Sequence, residues 1–135
     1  MEREVGVVTI LFNNAGIAAS AEFLTMPSDL LEKIIQVNLI SHFWTLRAFL
    51  PKMIERNHGH IVTISSGASF RALRYGSGYS AAKHGIRGYL ESVRSELQHH
   101  SLKPTNIQFT TVYPFFVHTP MTSHRTLTTK YVLTE

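Results

Sequence analysis

The chain has 135 residues, 44% of them apolar and 16% charged, with a net charge of +4 and no cysteine. That is one domain's worth of globular sequence, and it excludes disulfides and thiolate metal centres. The thirteen Lys and Arg are spread along the chain without a run, which argues against a nucleic-acid partner. No stretch of about twenty apolar residues is present to cross a membrane.

Residues 7–12, VVTILF, are a β-branched and aromatic run without polar alternation, the pattern of a parallel strand covered on both faces. The run ends at Asn13-Asn14-Ala15-Gly16, small and amide residues that suit a turn at the carboxyl end of a strand. Open α/β sheets bind their ligands there, although the same residues also read as a plain turn. After a loop through Pro27, Ser28 is expected as an N-cap, with Asp29 and Glu32 placing negative charge in the first helical turn. Apolar residues from Leu30 to Ile54 then recur at helical spacing, which predicts one long helix over 29–56. Its apolar surface is wider than a sheet alone would cover, and this implies a second covering such as a partner subunit. Pro51 is expected to kink the helix near its end, and Asn57-His58-Gly59 to stop it.

Residues 60–64, HIVTI, predict a second short buried strand ending at Ser65-Ser66, and 79–100 predict another long helix, broken by Lys103-Pro104. A third strand, IQFTTV over 107–112, is closed by Tyr113-Pro114. Strand, helix, strand, helix, strand with crossovers of this length predicts an α/β fold with a parallel sheet. Residues 118–135 are polar and threonine-rich, and read as a loop or partial helix.

The chemistry concentrates between Ser65 and Lys83. Tyr79 and Lys83 are four apart, so on a helix they share one face with roughly 5 to 6 Å between Cβ atoms. An ammonium that close favours the phenolate over the phenol, and a hydroxyl from Ser66 would hold a substrate oxygen beside it. Together the three suit proton transfer to or from an alcohol or carbonyl oxygen. A Tyr and a Lys at this spacing are also an ordinary structural pair, and Asn38 taken alone reads as a solvent-facing helix residue. The histidines noted, His58, His60, His84, His99, His100, His118 and His124, show no metal-ligand spacing, and no metal site is expected.

Lined up in order, Asn13-Asn14-Ala15-Gly16, Ser66, Tyr79-x-x-x-Lys83 and the segment from Pro114 to Thr119 resemble the short-chain dehydrogenase/reductase family over essentially the whole chain. Within it, NNAGI, AFLPKMIERNHGHIVTISS and VYPFFVHTPM are similar to the branch of epidermal retinol dehydrogenases and 17β-hydroxysteroid dehydrogenase 11 and 13 type enzymes. The resemblance implies a partial Rossmann-type doubly wound parallel sheet, carrying three strands and two long helices of a seven-stranded domain. It makes Tyr79 the general acid/base, and Lys83 the group that assists it and holds the nicotinamide ribose. Ser66 would orient the substrate oxygen, and Asn38 would complete a proton relay to the lysine. Asn13, Asn14, Ala15 and Gly16 would line the adenine-ribose side of the cofactor cleft. Pro114, Val117 and Thr119 would meet the nicotinamide carboxamide; Phe115 stands where the family usually has glycine.

The implied cofactor is NAD or NADP, with a lipid alcohol or ketone of retinol or steroid type as substrate. The implied partner is a second copy docked through the two long helices, and the branch suggests endoplasmic reticulum or lipid droplets as the location, with the cytoplasm as the alternative. The family's opening TGxxxGxG turn, which cradles the pyrophosphate at a helix N-terminus, has no counterpart here, nor does the later substrate lid. Residues 1–135 therefore read as a partial NAD(P)-binding domain, and negligible turnover is expected of the chain by itself. The alternative is a non-catalytic chain that docks on a full-length subunit.

Overall fold

The computed structural model describes residues 6–100, 105–117 and 132–133. Three strands, β1 (Ile10–Asn13), β2 (Gly59–Ile64) and β3 (Ile107–Val112), form a parallel sheet in the order β1-β2-β3. Leu11 lies opposite Ile61, and Ile61 opposite Phe109. The first crossover is helical throughout, as α1 (Ser28–Ile35), a π-helical turn (Gln36–Ile40) and α2 (Ser41–Arg56); the second is α3 (Ser77–His100). A short parallel pair, β4 (Phe116–Val117) with β5 (Val132–Leu133), stands apart from the main sheet.

Both crossovers pack on the same face of the sheet. Leu11, Ile61 and Ile107 from the strands meet Leu46 and Met53 of α2 and Ile86, Tyr89 and Leu90 of α3 in one buried cluster. Each fully buried aliphatic side chain there, such as Ile61 or Ile86, contributes about 1.5–3 kcal/mol. The two helices touch through the Phe43 and Tyr89 rings, 4.4 Å apart. A Cβ at Gly85 would lie 2.8 Å from Leu39 Cδ2, so the bare glycine is what lets α3 approach the π turn this closely.

Several sequence expectations are corrected. The first strand pairs over 10–13 rather than 7–12, because β2 begins only at Gly59; ahead of Ile10, Thr9 O accepts from His60 N–H at 2.9 Å. It also alternates in burial instead of being covered on both faces: Ile10 is 53% and Phe12 65% exposed. Ser28 is the first helical residue and not the cap; Pro27 holds the N-cap position without a side-chain bond. The expected single α-helix over 29–56 is interrupted by the π turn. Its stop is Asn57, in left-handed conformation at φ 48°, while Gly59 opens β2. The proposed loop or partial helix over 118–135 lies outside the described residues except for Val132–Leu133, which are β-strand.

Candidate active site

The carboxyl ends of all three strands open on one rim, and hydrogen bonds stitch the segments that leave them. Ser65 N–H donates to Val112 O at 2.8 Å and Gly67 N–H to Pro114 O at 2.9 Å, tying the serine loop to the segment after β3. Ser66 is extended and half-buried, and caps the short 3-10 turn Gly67–Ser69: its Oγ accepts from Ala68 N–H at 3.1 Å, leaving its own hydrogen to donate. The fully buried Ser69 fixes the turn by donating from Oγ to Ser66 O at 2.6 Å. Phe115 packs against Gly67, and with Phe70 and Tyr113 it leaves apolar ring surface exposed beside Ser66.

The turn after β1 is held by one face of the first crossover. Asn38 Nδ2 donates to Ile17 O at 2.7 Å, and Asn38 Oδ1 accepts from Ile17 N–H at 3.2 Å. One turn on, His42 Nε2 lies 3.1 Å from Ala15 O; a carbonyl only accepts, so this nitrogen carries the hydrogen. Nearly one turn further, Thr45 Oγ1 donates to Asn13 Oδ1 at 2.7 Å. Asn38, His42 and Thr45 thus grip successive points of the Asn13–Ile17 segment. Asn38 also donates to Ile34 O at 2.9 Å, taking the carbonyl that its own backbone N–H would use in an α-helix. That substitution accounts for the widened turn around it, where Ser41 N–H reaches back five residues to Gln36 O. Asn38 is fully buried, which overturns the solvent-facing reading.

Lys83 comes from α3 and is 3% exposed, with Nζ donating to Ile64 O at 3.0 Å. Burial pulls this ammonium down to about 8. Nζ lies 5.6 Å from the ring centroid of the half-buried Tyr79. Gly16 sits between the lysine and Asn38: a Cβ there would be 2.9 Å from Asn38 Oδ1 and 3.9 Å from Lys83 Nζ. The structure therefore brings Gly16, Asn38, Lys83 and Tyr79 to one place.

The remaining sequence candidates divide. Asn14 and Ala15 are exposed on the rim, whereas Asn13 is 3% exposed and faces the layer between sheet and helices. In that layer the Tyr89 hydroxyl sits near Asn13 and Thr63, which ease its burial without closing to hydrogen-bond geometry; burial wins and pushes the hydroxyl up to about 12. Pro114 and Val117 lie on the segment beyond β3, with Val117 in β4. Thr119 falls outside the described residues. His42 is absent from the sequence candidates, yet it is 1% exposed and bonded to the turn. Burial holds its imidazole below the ordinary range; the Ala15 bond opposes this and the charge of Lys83 adds to it. The signal for it was available as a polar stripe at i, i+4 and i+7 from Asn38 through His42 to Thr45. Among the described residues no three His, Cys, Asp or Glu side chains converge as a metal site, and no helix is long and apolar enough to cross a membrane.

Residues 1–130 match the family model described as short chain dehydrogenase. The chain belongs to the short-chain dehydrogenase family, and the three parallel strands with their two crossovers are a partial Rossmann-like domain of that family. Over 121 residues, 90% of this chain, it is 46% identical to short-chain dehydrogenase/reductase family 16C member 6 of Bos taurus, covering 38% of that protein. Over the same length it is 45% identical to epidermal retinol dehydrogenase 2 of Mus musculus, covering 38% of it, and 42% identical to retinol dehydrogenase 10-A of Danio rerio, covering 35% of it. The chain thus spans somewhat more than a third of the length of these relatives.

Proposed function

We propose that this chain carries the proton-transfer half of an NAD(P)-dependent oxidoreductase acting on an alcohol or carbonyl. The observation that carries the reading is the buried Lys83, held by Ile64 O with Gly16 and Asn38 beside it and Tyr79 one turn away. In the oxidative direction Tyr79 takes the hydroxyl proton of the substrate, with the Lys83 ammonium as the cation beside its ring. Ser66, its oxygen already engaged by Ala68 N–H, donates to the substrate oxygen and fixes which lone pair faces Tyr79. In the reductive direction the same groups return the proton.

The residues present fit a nicotinamide dinucleotide. Gly16 offers no side chain on the rim, Asn14 and Ala15 expose polar backbone and amide groups beside it, and Lys83 supplies a cation at the rim's base. When bound, the dinucleotide would supply or take up the hydride. Lys83 and Tyr79 would meet its ribose, and Pro114, Val117 and Thr119 its carboxamide side.

The substrate class we propose is a large apolar alcohol. Phe70, Tyr113 and Phe115 are 57%, 37% and 51% exposed around the Ser66 loop, a surface suited to a hydrocarbon chain, and two of the relatives are named as retinol dehydrogenases. Dimerisation through the outer faces of α2 and α3 is part of the same proposal. Trp44 and Ile54 on α2, 59% and 47% exposed, are the apolar groups a second copy would cover; a non-catalytic chain docking on a full-length subunit would use the same face. Endoplasmic reticulum or lipid droplets are the location we propose from the branch; among the described residues no helix is long and apolar enough to cross a membrane.

The test is a graft. Replacing the 121 matched residues of mouse epidermal retinol dehydrogenase 2 with this chain's sequence should give a protein that oxidises all-trans-retinol with NAD or NADP. Tyr79→Phe in the graft should lower kcat by about 100-fold or more, the scale of a lost general acid/base. A graft that folds and binds dinucleotide but has equal activity with and without the Tyr79 hydroxyl would refute the reading.

A further inference from the structure

We infer that His42 is a positioning residue of this site: its imidazole clamps Ala15 O from within the helix layer and so sets Gly16 against Asn38 and Lys83. The inference rests on the cofactor reading above for its purpose, and on three structural observations for its substance. First, His42 holds the turn at one point only, between the two points held by Asn38 and Thr45. Gly16, the next residue after Ala15, is the one whose missing side chain leaves room for Asn38 Oδ1 and stands near Lys83 Nζ. A shift at Ala15 is therefore felt directly at the lysine.

Second, the arrangement is a poor one for stability. Nδ1 of His42 is buried and has no partner among the described residues, and an unpaired buried polar atom generally costs more than one hydrogen bond returns. An apolar side chain of similar volume would fill the space without that penalty. Third, burial disfavours protonation of the ring, opposed by the Ala15 bond and reinforced by the charge of Lys83, and the contact with a carbonyl makes Nε2–H the donor. A residue that holds the cofactor-facing turn at a net cost to the fold is serving the turn.

Two substitutions separate this from a packing role. His42→Leu keeps the bulk and removes the donor; His42→Gln places an amide N–H near the position of Nε2. Expected for the leucine variant of the 135-residue chain is an unchanged or higher Tm, together with amide exchange at Ile17, whose N–H is held by Asn38 Oδ1, faster by about tenfold, the equivalent of one net hydrogen bond. Amides of β2 should exchange at the wild-type rate, and His42→Gln should restore protection of the turn. NADH affinity, read by nicotinamide fluorescence, should fall in the leucine variant and recover in the glutamine variant. A lower Tm with β2 loosened as much as the turn would make His42 a structural residue. Unchanged exchange at Ile17, or no recovery with glutamine, would also overturn the inference. If the wild-type chain by itself binds no NADH, the affinity comparison moves to the graft, where failure to bind dinucleotide would count against the cofactor reading, and the exchange and Tm results still decide the role of His42.

Discussion

The Lys83 ammonium donates to the carbonyl of Ile64 at 3.0 Å, so the cation of α3 is tied to the last residue of the central strand. The bond fixes the lysine at the rim, but it does not offset the burial of the charge, which brings the ammonium from 10.5 down to about 8.

That depression fixes a pH dependence. The folded state gives up the lysine proton near pH 8, while the unfolded chain keeps it to about 10.5. Between those values the unfolded chain binds more protons, so stability rises with pH, by about 3 kcal/mol in total. Below pH 8 the full penalty is present. Urea denaturation from pH 7 to pH 10 should show the rise. Lys83→Met should remove it and leave the chain more stable at pH 7, and a flat wild-type profile would contradict the burial assigned to this charge.

Asn38→Leu should cost about 3 kcal/mol. It leaves Ile17 N–H and O without partners and frees Ile34 O, at roughly 1–3 kcal/mol for each group left unpaired in a buried place. The π turn then loses its cause, and through-hydrogen-bond NMR couplings of the Ser41 N–H should show Val37 O as acceptor in place of Gln36 O. Chemical denaturation together with those couplings checks both halves.

Gly16→Ala drives a methyl to 2.9 Å from Asn38 Oδ1, which is backed by its own bonds to Ile17 and cannot easily give way. The expected loss is about 1–3 kcal/mol of stability, with a larger proportional loss of NADH affinity. A substitution that leaves both unchanged would show that the turn is not close to Asn38 in solution.

The face of the sheet away from the helices carries Ile10, Phe12 and Val112, 53%, 65% and 41% exposed, with β1 at the sheet edge among the described strands. An apolar edge of this kind pairs with other chains. The chain should self-associate at micromolar concentration, and Phe12→Lys should shift sedimentation toward the monomer without lowering Tm.

What the sequence made legible follows from the range of each signal. β3 was read over 107–112 as it stands, because its boundaries are written locally in Lys103-Pro104 shortly before it and Tyr113-Pro114 after it. The helix bearing Tyr79 and Lys83 was read to within two residues at its start. The π turn was not legible, because it depends on Asn38 meeting Ile17, a residue 21 positions away. For the same reason Asn38 looked solvent-facing when taken alone. Burial of β1 on both faces was read from composition, but cover on the second face is a matter of what packs there. His42 stands at no metal-ligand spacing, and what marks it is the polar helix stripe it shares with Asn38 and Thr45.

The central claim, that Tyr79 and Lys83 serve hydride exchange between an alcohol carbon and a nicotinamide, is tested most directly by isotope transfer in the graft described above. All-trans-retinol carrying deuterium at its carbinol carbon would be incubated with NAD and with NADP, and the nicotinamide product examined by mass spectrometry. The account expects deuterium in the reduced nicotinamide with the wild-type sequence and almost none with Tyr79→Phe. A folded graft that binds dinucleotide yet transfers no deuterium, or transfers it equally well without the Tyr79 hydroxyl, would contradict it.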